Sequence, residues 1–98
     1  MVQFHRGQRV AIPCDIRPGP FDDRLVTIQT DSGTISGFIR SEHLRETAGP
    51  SGYVLGVVDE VTPTTVKIRI PGSFFTSALG LTSVSTGWAN THLQLAAA

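Results

Sequence analysis

Apolar and polar residues alternate along several segments of the first 70 positions, and this alternation predicts β-strands. In the first such segment Val10, Ile12, Cys14 and Ile16 share one parity, and polar or small residues stand between them. A period of two places successive side chains on opposite faces of a strand. Pro13 has no N–H to give to a neighbouring strand, so we expect this strand to be bulged or at an edge there.

Two more strands follow a Pro/Gly loop and are joined by a tight hairpin. The segment RLVTIQT alternates, Asp31-Ser32-Gly33 is typical of a short turn, and TISGFIR returns as the third strand. The next residues, SEHLRE, predict one helical or 3₁₀ turn with Ser41 as its N-cap. YVLGVVDEV and TVKIRI predict a fourth and a fifth strand, with Val66, Ile68 and Ile70 on one face of the fifth.

Three strands, a helical turn and two strands follow one another in the order of a five-stranded OB barrel, a small all-β fold. An SH3-like barrel is the alternative, although the turn after the third strand favours the OB barrel. We expect the barrel to occupy residues 1–71. Residues 72–98 contain several large apolar side chains but no Lys, Arg, Asp or Glu. This extension is expected to add one or two strands, or an irregular wrap, packed on the barrel or at an interface.

Composition narrows the possible functions. A chain of 98 residues has the length of one domain. Eight basic residues balance eight acidic ones, and this neutral net charge argues against strong non-specific binding to nucleic acid. Seven of the eight cations are Arg, a side chain suited to phosphates and to stacking, although a general Arg bias of the genome would produce the same count. The lone Cys14 fits a reducing compartment. Without a long apolar run or a signal-peptide core, we expect a cytoplasmic protein and no membrane partner.

The segment GTISGFIRSEHL, residues 33–44, resembles the third strand and following turn of the S-one-type RNA-binding domain, the repeated OB module of the largest small-subunit ribosomal protein. The family's third strand runs Gly, aliphatic or Phe, aliphatic, often His or Pro, and Gly37-Phe38-Ile39-Arg40 matches this first part. Ser41-Glu42-His43-Leu44 keeps the Ser-Glu-Leu turn that follows, with a His inserted. GYVLGVVDEVTPTTVKIRI is similar to the family's fourth and fifth strands. GPF, residues 19–21, is similar to its Gly-aromatic element, but DDR then separates Phe21 from the second strand, so Phe21 falls either in the loop or on the binding face. The resemblance covers about residues 7–70.

The resemblance implies that single-stranded RNA lies across the second and third strands, with bases on aromatic rings and phosphates on cations. From the residues alone, strand parity places Phe38 and Arg40 on one face and Ile39 on the other. Stacking a base on an aromatic ring contributes about 1–3 kcal/mol with little sequence preference. The predicted RNA-binding residues are Phe38, Arg40, Phe21, Lys67, Arg69 and Arg24.

Two structural alternatives compete with this interpretation. A one-residue slip of the third strand would place Phe38 in the core. Arg40, Lys67 and Arg69 are otherwise ordinary solvated strand residues. Acidic side chains would repel phosphate if they lay near the same face; these are Asp22, Asp23, Asp59 and Glu60.

Catalysis is not expected, and neither is a metal or another cofactor. The three His and the one Cys show no metal-ligand spacing, and neighbouring carboxylates on a strand point to opposite faces. The competing functional hypothesis is a protein-interaction or self-assembling domain that uses Phe74, Phe75 and Trp88 of the uncharged extension. The expected partner is therefore single-stranded RNA or, alternatively, another protein or a second copy of this chain.

Overall fold

β-Branched residues at alternate positions build the strands of a strongly curled antiparallel sheet in the computed structural model of the chain. The structure describes residues 3–19, 22–31, 33–46, 50–71, 73–74 and 81–95. The strands are β1 (Arg9–Pro18), β2 (Asp23–Thr30), β3 (Gly33–Arg40), β4 (Leu44–Glu46), β5 (Ser51–Val61), β6 (Thr65–Arg69), β7 (Ser73–Phe74), β8 (Leu81–Ser85) and β9 (Gln94–Leu95). A 3₁₀ turn spans Ser41–His43, and helix α1 spans Thr86–His92.

The long strand β1 connects the two parts of the sheet. Its second half, from Asp15 to Pro18, pairs with β2, and residues Arg9 to Asp15 pair with β5. The resulting strand order is β7-β3-β2-β1-β5-β6-β8, with β4 beside β5 and β9 beside β1. The expectation of a small all-β barrel is confirmed, with the five predicted strands as β1, β2, β3, β5 and β6.

The core consists mainly of the inward-facing residues of these strands, as the alternation with a period of two predicts. Val10 and Ile12 of β1 are at most 1% exposed, and Val66 and Ile68 of β6 are fully buried. Burying a side chain of this size stabilises the fold by about 1.5–3 kcal/mol. The other core strand residues are Ile16, Val26, Ile28, Ile39, Val54, Val58 and Val84.

Pro13 lies where β1 changes partners along one of its edges. On that edge β9 pairs with Val10 and Ala11, and β2 pairs with β1 from Asp15 onward. In the described part of the chain Pro13 therefore lies between the two pairings, where its missing N–H leaves no strand partner unsatisfied. On the other edge the ladder to β5 passes through Pro13 without a bulge.

The segment after β3 differs from the prediction. The 3₁₀ turn is only three residues long, and Leu44–Glu46 forms β4 against β5. The prediction of Ser41 as N-cap was wrong: Arg40 precedes the turn, and no side chain caps it. A single 3₁₀ turn leaves few N–H groups to cap, and pairing with β5 satisfies the backbone beyond it.

The described parts of the extension pair with strands of the barrel. β7 pairs with β3, β8 with β6 and β9 with β1. Ser85 is the N-cap of α1, its Oγ accepting from the Trp88 N–H at 3.1 Å, and Ala89 of this helix is fully buried. The described parts of the extension therefore form three short strands and one helix, where one or two strands were expected.

In the described residues, no helix has the length and apolar character needed to cross a membrane.

Cys14 lies half-buried at the border of the core, packed against it. Burial raises the pKa of its thiol from 9.0 to about 11, helped by the negative charge of Asp15 and opposed by a backbone hydrogen bond involving Val54. Between these two pH values the unfolded chain releases a proton that the folded chain keeps. Stability from this group is therefore complete below pH 9 and is lost as the pH rises towards 11.

The expected result is a steeper loss of stability at alkaline pH in the natural chain than in Cys14→Ser. One pKa unit corresponds to about 1.4 kcal/mol, and discounting for the partial exposure of the thiol leaves a difference of about 1 kcal/mol. Urea unfolding of both proteins at pH 8.5 and pH 10.5 under reducing conditions measures it. Equal losses in the two proteins would show that the thiol titrates normally.

Candidate nucleic-acid interface

Phe38 and Arg40 lie on the outer face of β3. Ile39 between them is 1% exposed in the core, whereas Phe38 is half-buried and Arg40 is exposed. The register that pairs Gly37 with Val26 and Ile39 with Arg24 fixes this alternation. The alternative in which a slipped register buries Phe38 is therefore not what the structure shows.

Phe38 belongs to a row of side chains that crosses three strands. Leu25 of β2 stands opposite Phe38, and Arg17 of β1 stands opposite Leu25. Directly opposite residues on neighbouring strands have Cβ atoms about 4.5–5.5 Å apart, so these side chains are in reach of one another. We call Phe38, Leu25 and Arg17 the Phe38 row. It offers an aromatic ring beside an aliphatic side chain, with a guanidinium at its end.

Arg24 and Arg40 meet in a cleft of about 340 Å³ at the end of β2 and β3, next to the 3₁₀ turn. Arg24 has the inward parity, because it pairs with Ile39, but it stands near the start of its strand, where the core ends. Its Nη1 lies 3.4 Å from the Asp23 carbonyl oxygen. Asp22 and Glu42 line the same cleft, so its two positive charges face two negative ones.

Lys67 and Arg69 lie on the outer face of β6, separated from β3 by three strands in the sheet order. Arg69 forms an ion pair with Asp59, with Nη2 and Oδ1 3.3 Å apart. Lys67 stands opposite Glu60. The structure therefore brings Arg24 to Arg40 but leaves Lys67 and Arg69 on another part of the surface.

Two arginines that the sequence did not single out lie near Arg69. Arg9, Arg45 and Arg69 line a cleft of about 480 Å³ with Leu55 and Val57. Arg9, Val57 and Arg69 form one cross-strand row over β1, β5 and β6. The outward parity of Arg9 could be read from the sequence. Arg45 could not be placed, because its segment was predicted to be helical.

Acidic side chains accompany almost every predicted cation. Asp23 stands opposite Arg40, and Asp22 shares the cleft with Arg24 and Arg40. The anticipated repulsion of phosphate thus applies locally, as the neutral composition suggests. An interface on this face would depend on the placement of a few guanidinium groups rather than on a broad positive potential.

The remaining predicted residues are placed as follows. Phe21 and Phe75 lie outside the described residues. Phe74 is part of β7, where its backbone pairs with Gly37 of β3. Trp88 is half-buried in α1 and packs against the core.

Groups that could support catalysis are sparse in the part of the chain that the structure describes. It contains no group of three or more His, Cys, Asp or Glu side chains that could hold a metal ion. His43 Nε2 and Glu42 Oε1 are 3.6 Å apart, and their side chains are 42% and 65% exposed. A solvated pair at this distance is typical of a surface turn.

Comparison with protein-family models, with curated proteins and with solved structures finds no match to this chain.

Proposed function

We propose that the chain binds single-stranded RNA without catalysing a reaction, and that the strand crosses the outer face of β2 and β3. The observation that carries this proposal is the Phe38 row, in which a half-buried aromatic ring stands beside Leu25, with Arg17 at the end of the row and Arg24 and Arg40 in the neighbouring cleft. Phe38 supplies a ring for one base, and Leu25 extends the apolar surface beneath it. Stacking on such a ring tolerates any base because every base has a π-face.

Three guanidinium groups surround this platform. Arg17 ends the Phe38 row, and Arg40 and Arg24 line the cleft at the strand ends. A guanidinium presents a planar set of donors that matches a phosphate. The neighbouring carboxylates limit non-specific attraction, so we expect modest affinity for RNA. Lys67 and Arg69 are not needed for this path.

The strand pairing supports an OB-type barrel as the scaffold. β1 pairs with both β2 and β5, β5 pairs with β6, and a 3₁₀ turn follows β3. In OB folds the face of the second and third strands binds oligonucleotides. The resemblance to the S-one-type domain is carried by β3 with the turn after it, by residues 19–21 and by β5 and β6, and it implies the same binding face. We therefore infer that the binding face is the one around Phe38.

The expected result with a labelled single-stranded RNA of about twelve nucleotides is binding that weakens about tenfold between 50 and 200 mM salt. Two or three phosphate contacts on single-stranded nucleic acid give a logarithmic slope of about −1.4 to −2.1, which corresponds to this loss. Fluorescence anisotropy titrations at the two salt concentrations measure it, and a DNA duplex of the same length is the control.

Absence of RNA binding at 50 mM salt would refute the proposal, because attraction between charges is strongest there. The competing hypothesis, a protein-interaction domain, would then replace RNA binding as the proposed function. Leu95 of β9, which is 51% exposed, would be the first position to vary in that case.

A further inference from the structure

A third cleft, of about 400 Å³, lies between α1 and the outer face of β1, β2 and β5. We call it the α1 cleft. Its volume falls within the range of small-molecule sites in proteins. It depends on the C-terminal extension, because Trp88 and His92 of α1 form one side of it. The resemblance to the S-one-type domain does not reach these residues.

The aromatic side of the α1 cleft is held by several contacts. The rings of Trp88 and His92 are stacked, with centroids 4.5 Å apart and an interplanar angle of 19°. His92 Nδ1 lies 3.0 Å from the Trp88 carbonyl oxygen, which can only accept, so Nδ1 carries the hydrogen. Tyr53 stands on β5, where its hydroxyl accepts from Gln94 Nε2 at 3.3 Å. These rings are therefore positioned before any ligand arrives.

The charge of the α1 cleft differs from that of the Arg24–Arg40 cleft. Among the described residues that line it, Asp15 is the one carboxylate, and neither Lys nor Arg is present. Thr27, Gln29 and the Tyr53 hydroxyl add uncharged hydrogen-bonding groups. A phosphate would meet a like charge here, whereas a flat, neutral heterocycle would find rings to stack on and polar groups for its edge.

The α1 cleft continues the face on which the Phe38 row lies. Thr27 lines the cleft and is the next outward residue of β2 after Leu25, and it stands opposite both Ser36 and Asp15. Two residues along a strand span about 7 Å. An extended RNA strand lying on Phe38 can therefore place a neighbouring base at the entrance of the cleft, while its phosphates stay towards the arginines.

We propose that the α1 cleft binds a nucleobase and favours bases with an exocyclic amino group, such as adenine and cytosine, over uracil, which has none. The inference rests on the proposed function, since the base would belong to RNA that crosses the Phe38 row. Asp15 is the selecting group: its carboxylate accepts from the exocyclic amino N–H of adenine or cytosine, whereas the one donor of uracil, N3–H, lies between two carbonyl oxygens that a carboxylate repels. The rings of Trp88 and Tyr53 provide stacking.

Trp88 is the one tryptophan of the chain, so its fluorescence reports on this cleft. Titration with oligo-A, oligo-C and oligo-U of about six nucleotides should show quenching by the first two at concentrations at least about fivefold lower than by the third. Asp15→Asn should abolish this preference. Asp59→Asn, which removes a carboxylate outside the cleft, should keep it.

Further titrations distinguish a failure of this inference from a failure of the proposed function. Phe38→Ala should weaken all three oligonucleotides and leave the base preference intact. Adenosine, cytidine and uridine show whether a free nucleoside suffices or the base must be part of a strand. Equal quenching by all oligonucleotides, or an unchanged preference in Asp15→Asn, overturns the inference while RNA binding stands. If no oligonucleotide binds, the proposed function fails, and the nucleoside titration alone decides for or against the cleft.

Discussion

Replacing Phe38 and Arg40 together with alanine is expected to lower RNA affinity by at least about 50-fold. Loss of one stacked base costs about 1–3 kcal/mol, and loss of a charge-assisted hydrogen bond to phosphate costs about 1.5–3 kcal/mol. Arg40 is exposed and Phe38 is outside the buried core, so the folded state should persist. Fluorescence anisotropy measures the affinity, and urea unfolding checks the fold.

A matched control is available on β5 and β6. Val57→Ala with Lys67→Ala also removes one apolar side chain and one positive charge from the outer surface, on strands separated from β3 by two strands for β5 and by three for β6. This variant should retain RNA affinity within about threefold, since distant surface charges are screened at moderate salt. Equal losses in the two double variants would indicate general electrostatic attraction. Unchanged affinity in Phe38→Ala/Arg40→Ala would remove the Phe38 row from the interface.

Much of the barrel could be predicted because apolar and polar residues alternate along its strands. The core buries Val66 and Ile68 of β6 and Val10, Ile12 and Ile16 of β1, and each set shares one parity. Ala11 of β1 is the exception, because it is buried on the other parity, where β9 pairs with it. The hairpin of β2 and β3 was also readable, since Asp31-Ser32-Gly33 leaves Thr30 opposite Gly33. Local chemistry was sufficient in these segments.

Pairing between distant segments explains what the sequence did not reveal. Leu44–Glu46 is too short to show a period, and it becomes a strand only because β5 lies beside it. The two-residue strands β7 and β9 likewise owe their conformation to β3 and β1. Such segments have no pattern of their own to read.

The sequence predicted which face of its strand each candidate residue occupies, because side chains alternate between the two faces. Parity correctly placed Phe38 and Arg40 on one face, but shared parity says nothing about distance between strands. Lys67 has outward parity too, yet the sheet order separates it from β3. Arg24 shows the reverse: its parity is inward, but its place at the strand end brings it to Arg40. The α1 cleft was missed because it joins residues that are distant in the sequence, such as Asp15 and His92, which are 77 positions apart.

Adjacent substitutions on β3 should separate stability from binding. Ile39→Ala is expected to lower the free energy of unfolding by about 2–5 kcal/mol, because this side chain is 1% exposed and its removal leaves a cavity. Phe38→Ala, one residue away, should cost only about 1 kcal/mol, because its ring is only half-buried and has little cavity to leave. Urea unfolding of both variants measures the difference.

RNA affinity should rank the same two variants in the opposite order. Where both are folded, Ile39→Ala should bind RNA like the natural chain, since Ile39 faces the core, and Phe38→Ala should bind weakly. Ile39→Val, expected to cost about 0.5–1.5 kcal/mol, tests whether the loss follows the volume removed. A strand shifted by one residue would exchange the two faces. A larger loss of stability in Phe38→Ala than in Ile39→Ala would therefore overturn both the register of β3 and the RNA-binding face built on it.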